Sequence, residues 1–174
     1  CCALTVQTEE EARETIHLVR EAGIAIVVLP MCNMFLMGRT PGRTPRWRGI
    51  TLVHEFAAAG VPVSYASDNC RDPFYAYGDY DMIEVYREAV RIAQLDCPWG
   101  DWIASVAKRP AEVCGLPGGV IREGAAADLI LLRARRMTEF LARPQSDRVV
   151  LPGGRVIDAR PPDFRELDRA LAGR

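Results

Sequence analysis

Two helix-glycine-strand units shape the first half of the chain. Thr8-Glu9-Glu10-Glu11 has the form of a capping box, and Ala12, Ile16, Val19 and Ala22 recur at helical spacing, so a helix is predicted from Thr8 to about Ala22. Gly23 supplies a left-handed helix end, and the unbroken aliphatic run 24–29 predicts a strand buried on both faces. The unit recurs with Leu52, Val53, Phe56 and Ala57 in residues 50–59, Gly60 as the stop, and a strand over 61–67. A third helix is predicted over 82–95, carrying Ile83, Val85, Tyr86, Val90 and Ile92, and a short one over 102–107 before Pro110. Beyond Gly115, residues 120–121, 128–132, 148–151 and 153–157 read as short strands between glycine turns, a small β appendage. In the tail, Phe164, Leu167 and Leu171 share one helical face and read as packing surface.

Alternating helices and buried strands imply a parallel α/β sheet or barrel. Two parallel strands do not make a stable sheet alone, because parallel sheets need cover on both faces. The expected fold therefore extends beyond residue 1, an expectation reinforced by an opening, Cys1-Cys2-Ala3-Leu4, that lacks an initiator methionine.

Composition narrows the partners. With 174 residues, 49% hydrophobic and 26% charged, the chain has the makings of a folded core. A net charge of -1, with its cations scattered among anions, offers no footprint for nucleic acid or an anionic membrane. The longest apolar run, 24–37, is broken by Pro30 and Asn33 and is shorter than the roughly 20 residues of a spanning helix. Cysteines 1, 2, 32, 70, 97 and 114 show no disulfide or metal spacing beyond one doublet, which points to reduced thiols in a cytoplasmic protein. A small polar molecule is the expected partner.

Asp68 is the main candidate for chemistry. It closes the apolar stretch Val61-Pro62-Val63-Ser64-Tyr65-Ala66-Ser67, and the carboxyl end of a parallel strand is where α/β enzymes place their reactive groups. The loop behind it offers a donor and acceptor at Asn69 and flat faces at Phe74, Tyr75 and Tyr77, a combination suited to a planar, polar heterocycle. The alternative is that Asp72-Pro73 starts a turn and the aromatics pack over the strand end. His17 and His54 sit within helical patterns and read as structural. A catalytic divalent metal takes typically about three protein ligands, and no histidine stands at ligand spacing from Asp68.

Four segments carry a family resemblance: Leu29-Pro30-Met31-Cys32-Asn33-Met34-Phe35 and its continuation to Arg39, residues 44–56, residues 66–82, and residues 110–132 followed by 148–158. In this order they resemble the cytosine deaminase branch of the amidohydrolase superfamily, metal-dependent hydrolases built on a (β/α)8 TIM barrel with a small β-sandwich. The resemblance implies that residues 1–115 form the C-terminal part of the barrel with strands seven and eight, that 116–160 belong to the sandwich, and that 161–174 form a tail. It implies that Asp68 ligates a divalent metal, zinc or iron, and shuttles protons, while Asn69 and Phe74 line the base pocket. The remaining metal ligands would lie upstream of residue 1. Aspartate is typical where this chain has Asn69, and tryptophan where it has Phe74, so the implied substrate widens from cytosine to creatinine, isoguanine or an aminotriazine.

The expected activity is hydrolytic deamination of such a heterocycle by the full-length parent, with room for a homo-oligomer. The competing reading is a catalytically incompetent fragment or a non-enzymatic relative. A small doubly wound binding domain would need a glycine-rich first turn after a strand, and none is evident.

Overall fold

The computed structural model describes residues 2–46, 50–158 and 160–172. The chain divides into two units, Cys1–Arg122 and Glu123–Arg174. The first is a mixed α/β layer. A 3-10 turn, Cys2–Val6, precedes helix α1, Glu9–Glu21, whose start is the expected capping box: the Thr8 hydroxyl accepts from the Glu11 amide, and the Glu11 carboxylate accepts from the Thr8 amide at 2.9 Å. Ala12 and Ile16 are its buried positions. Gly23, at φ 64°, turns the chain into strand β1, Ile26–Val28.

Strand β1 passes through Leu29 directly into helix α2, Pro30–Leu36. The sequence reading treated Pro30 as a break. At the first position of a helix, proline lacks only an amide that would be unpaired anyway, and its fixed φ favours the turn. Helix α3, Val53–Ala58, buries Val53 and Phe56, and Gly60 at φ 80° leads into strand β2, Val63–Tyr65. The two strands are parallel, with Ile26 opposite Val63, Val27 opposite Ser64 and Val28 opposite Tyr65. Each is shorter than its apolar run.

Helix α4, Met82–Ala93, starts where Asp81 accepts from the Ile83 amide at 3.0 Å, and it ends at Gln94 in a left-handed conformation. It buries Ile83, Val85, Tyr86, Ala89 and Val90. The expected helix near Trp102 is a 3-10 turn, Trp102–Val106, followed by helix α5, Lys108–Val113, which the sequence reading missed because Pro110 lies inside its first turn. His54 is structural: its Nε2 lies 2.8 Å from the Ala93 carbonyl, and its ring meets Trp102 edge-on at 5.2 Å. Because a carbonyl only accepts, Nε2 carries the proton.

The second unit is thinner. Strands β3, Leu129–Leu131, and β4, Val149–Leu151, pair antiparallel, with Leu129 opposite Leu151. Helix α6, Met137–Ala142, lies between them in sequence, and helix α7, Glu166–Leu171, closes the described chain. Residues 120–121 are not a strand, and Ile121 is 90% exposed. Pro152–Gly154 forms a 3-10 turn, and the strand expected over 153–157 reduces to one bridge between Val150 and Ile157. Phe164, Leu167 and Leu171 are all exposed. Among the described residues, no helix is long and apolar enough to cross a membrane.

Candidate functional site

Because β1 and β2 run parallel, the segments following them emerge at the same end of the sheet. Helix α2 leaves β1 there, and the loop 66–80 leaves β2. Cys32, fully buried on α2, joins them: its thiol lies 3.6 Å from the Ser67 carbonyl and 3.6 Å from the Asn69 carbonyl. Burial, and then the charge of Asp68, push this thiol up to about 11, so it stays neutral near pH 7 and acts as a donor.

Asp68 lies three residues beyond β2 and is exposed. Its backbone is left-handed, at φ 62°, and Arg71 and Tyr80 in the same loop share that conformation at 50° and 56°. Non-glycine residues rarely adopt it, and aspartate is among the more tolerant. Such backbone is sustained only where surrounding contacts hold it. Here those contacts are explicit. The Arg71 amide donates to the Tyr77 carbonyl at 3.0 Å, the Asp72 amide donates to the Tyr75 carbonyl at 3.0 Å, and the Arg71 guanidinium pairs with Asp79 at 2.9 Å. Gly78, at φ 82°, closes the loop where a Cβ would meet the Tyr75 ring at 3.2 Å.

Asp72 sits at the centre. One carboxylate oxygen accepts from the Phe74 and Tyr75 amides, each at 2.9 Å, and the other accepts from the Asn69 carboxamide nitrogen at 2.5 Å. Asn69, then the Tyr75 amide, hold its carboxyl below the usual carboxylate range. From sequence, Asp72-Pro73 reads only as the start of a turn. Its spacing from Asn69 and Phe74 was the available signal.

The aromatics divide. Tyr75 is buried; its ring meets Phe35 edge-on at 5.2 Å, and Tyr77 meets Phe35 at 5.6 Å and Tyr75 at 5.9 Å. The Arg39 guanidinium lies 4.0 Å above the Phe35 ring. Neither Phe35 nor Arg39 stands out from sequence, where Phe35 falls in a broken apolar run and Arg39 just beyond it. Phe74 is 65% exposed, so its ring face is open. The structure thus gathers Asp68, Asn69 and the aromatic loop at one end of the sheet, with Asn69 turned to Asp72. Among the described residues, no three His, Cys, Asp or Glu side chains come close enough to hold a metal.

The chain is 60% identical over 172 residues to a pterin deaminase of Rhizobium rhizogenes, an alignment covering 98% of this chain and 39% of that protein. Among solved structures it resembles 5-methylcytosine deaminase from Klebsiella pneumoniae liganded with 5-fluorocytosine, with a TM-score of 0.73 at 24% identity over 94% of this chain and 40% of that one. It also resembles an adenosine deaminase from Xanthomonas campestris with bound zinc, with a TM-score of 0.64 at 18% identity over 97% of this chain and 39% of that one. The chain spans about two fifths of the length of these relatives. At such identities the two structures speak for the mixed α/β fold alone. Residues 1–157 match the amidohydrolase family, and with that match spanning most of its length the chain belongs to that family.

Proposed function

We propose that this chain forms the C-terminal part of a metal-dependent amidohydrolase that hydrolytically deaminates a nitrogen heterocycle. The observation that carries the reading is the parallel β1–β2 pair with α2 and the Asp68 loop at its carboxyl end, where barrel enzymes build their sites. The sheet itself favours a (β/α)8 barrel, with residues 1–115 in the barrel, 116–160 in a small β-sandwich and 161–174 as a tail. Val27 is 52% exposed, and the buried Ser64 hydroxyl opposite it has no hydrogen-bond partner among the described residues; further strands would cover the first and offer a partner to the second.

Substrate identity follows the closer sequence relative. A pterin-like 2-amino-4-oxo ring is favoured over cytosine, because the chain is 60% identical to a pterin deaminase and the open Phe74 face suits a wide planar ring. Creatinine, isoguanine and an aminotriazine are the other rings to test.

Zinc or iron is the proposed cofactor. Asp68 fits as one oxygen ligand: it is exposed and forms no ion pair among the described residues. The other donors would come from outside the described residues, which present no three-ligand cluster. When bound, the metal would lower the pKa of a water molecule to about 7. Asp68 would take up the proton released as water attacks the amine-bearing carbon and pass it to the departing ammonia. Asn69 would hold the edge of the ring, and Phe74 its face.

That the described residues hold no three-ligand cluster also favours a second reading, in which the chain alone is inert. Ammonia release by the full-length protein tests the first reading, with pterin, cytosine, creatinine, isoguanine and an aminotriazine as substrates and metal content measured alongside. Turnover with stoichiometric, chelator-sensitive metal is expected. Release from none of these rings by metal-loaded protein would contradict the proposal. Stoichiometric metal on residues 1–174 alone would contradict the second reading.

A further inference from the structure

The carboxamide of Asn69 is not free to choose which end it shows. Its nitrogen lies 2.5 Å from an Asp72 oxygen, and that carboxylate is held ionised by two backbone amides as well. An ionised carboxylate only accepts, so the amide must turn its NH2 toward Asp72; the reverse orientation would set two acceptors against each other. The Asn69 oxygen is thereby left on the opposite arm of the group. Among the described residues it has no partner: the contacts of Asn69 there are the carboxamide donation to Asp72 and the backbone carbonyl that accepts from Cys32.

We infer that Asp72 is a positioning residue that fixes Asn69 as a neutral hydrogen-bond acceptor, and that the site therefore selects heterocycles presenting a ring N–H or an amino group at that edge. The inference rests on the proposed placement of Asn69 against the substrate. Aspartate at position 69 would also be an acceptor, but a charged one, and beside Asp72 it would put two carboxylates together. Asparagine locked by aspartate keeps the acceptor and loses the charge. A ring offering only an acceptor at this edge would meet an oxygen it cannot bond, and a buried unmatched polar pair is what gives such sites their discrimination.

The polarity of the pair can be exchanged. Asp72→Asn retains an oxygen for the Phe74 and Tyr75 amides, so the turn persists, and it presents an NH2 to residue 69. Asn69 then turns over, gives its oxygen to the new donor and shows its own NH2 to the ring. Adding Asn69→Asp restores the original polarity, because the aspartate accepts from Asn at 72 with one oxygen and faces the ring with the other.

In the full-length protein with pterin as substrate, Asp72→Asn should raise KM by about tenfold or more with the protein still folded and at most a small fall in melting temperature, the rise in KM being the size expected when a hydrogen bond becomes a donor-donor clash. The double variant Asn69→Asp/Asp72→Asn should recover KM to within about threefold of the parent, and a merely structural role for Asp72 gives no reason for that rescue. An unchanged KM in Asp72→Asn, or a double variant no better than the single one, would overturn the inference. Should the parent release no ammonia from pterin or any of the other rings named above, the proposed function is what fails. Neutron diffraction on the full-length protein then decides the orientation alone: deuterons on the Asn69 atom facing Asp72 support the lock, and their absence there refutes it.

Discussion

Strands β2 and β3 are alike in length and unlike in fate. Val63–Tyr65 and Leu129–Leu131 are both three-residue strands, yet β2 is buried at all three residues, its serine included, while Ile130 and Leu131 of the wholly aliphatic β3 are exposed. The difference lies in the cover. Strand β2 is packed by α3, α4, α5 and the 3-10 turn at Trp102–Val106, whereas β3 has β4 and the Pro152–Gly154 turn. Apolar sequence predicts a strand, but burial depends on which elements are close enough to exclude water. The candidate chemistry lies beyond the better covered strand, where the left-handed residues Asp68, Arg71 and Tyr80 follow β2.

The largest expected effect comes from removing that cover. Phe56→Ala, at a fully buried position on α3, should cost about 3–5 kcal/mol, against less than about 1 kcal/mol for Leu131→Ala on β3, as read from urea unfolding of the full-length protein. Equal costs would mean that the β3–β4 hairpin is covered in solution and would erase the comparison.

A smaller effect of opposite sign is expected within β2. The Tyr65 hydroxyl is buried without a hydrogen-bond partner among the described residues, and burial pushes its pKa well above the usual range. Tyr65→Phe should therefore leave stability unchanged or raise it by up to about 1 kcal/mol. A clear loss in thermal unfolding would show that the hydroxyl is paired in the full-length protein.

The smallest effect is a pH dependence confined to the loop. The Asp72 carboxyl is lowered from its usual 3.8, first by Asn69, so its contacts are fully present above that pH and are lost as pH falls through the lower folded value. Amide exchange at Phe74 and Tyr75, corrected for intrinsic rates, should stay slow down to the usual carboxylate range and quicken below it. In Asp72→Ala it should be fast throughout. In the second unit, Asp158 is lowered to about 2 by Arg160 and follows the same sign, but its partner is mainly a side chain. Acid should release that pair without changing exchange in the loop.

Much of the frame was legible because local chemistry dictated it. The Thr8 and Glu11 pair, the turns at Gly23 and Gly60, and the start of α4 are decided within a few residues of each other. What was misread depended on distance or position. Proline at 30 was treated as a break because its place at the first helical position is visible only once β1 is known to end at Val28. Val120 and Ile121 carry strand-forming side chains, but among the described residues no strand pairs with them. At the site, Asp68, Asn69 and Phe74 stand out by type and placement, whereas Phe35, with Arg39 over its ring, reaches Tyr75 and Tyr77 only through the parallel pairing of β1 with β2. Asp72 is the instructive case: its role lies in which end of Asn69 it holds, a relation between two side chains that neither residue type reveals alone.

The most direct test of the account is the turnover number of Asp68→Ala in the full-length protein, measured as ammonia release from the ring its parent deaminates best. The account predicts loss of turnover by about three orders of magnitude or more, together with weakened metal retention. Near-parental ammonia release from the variant would contradict it.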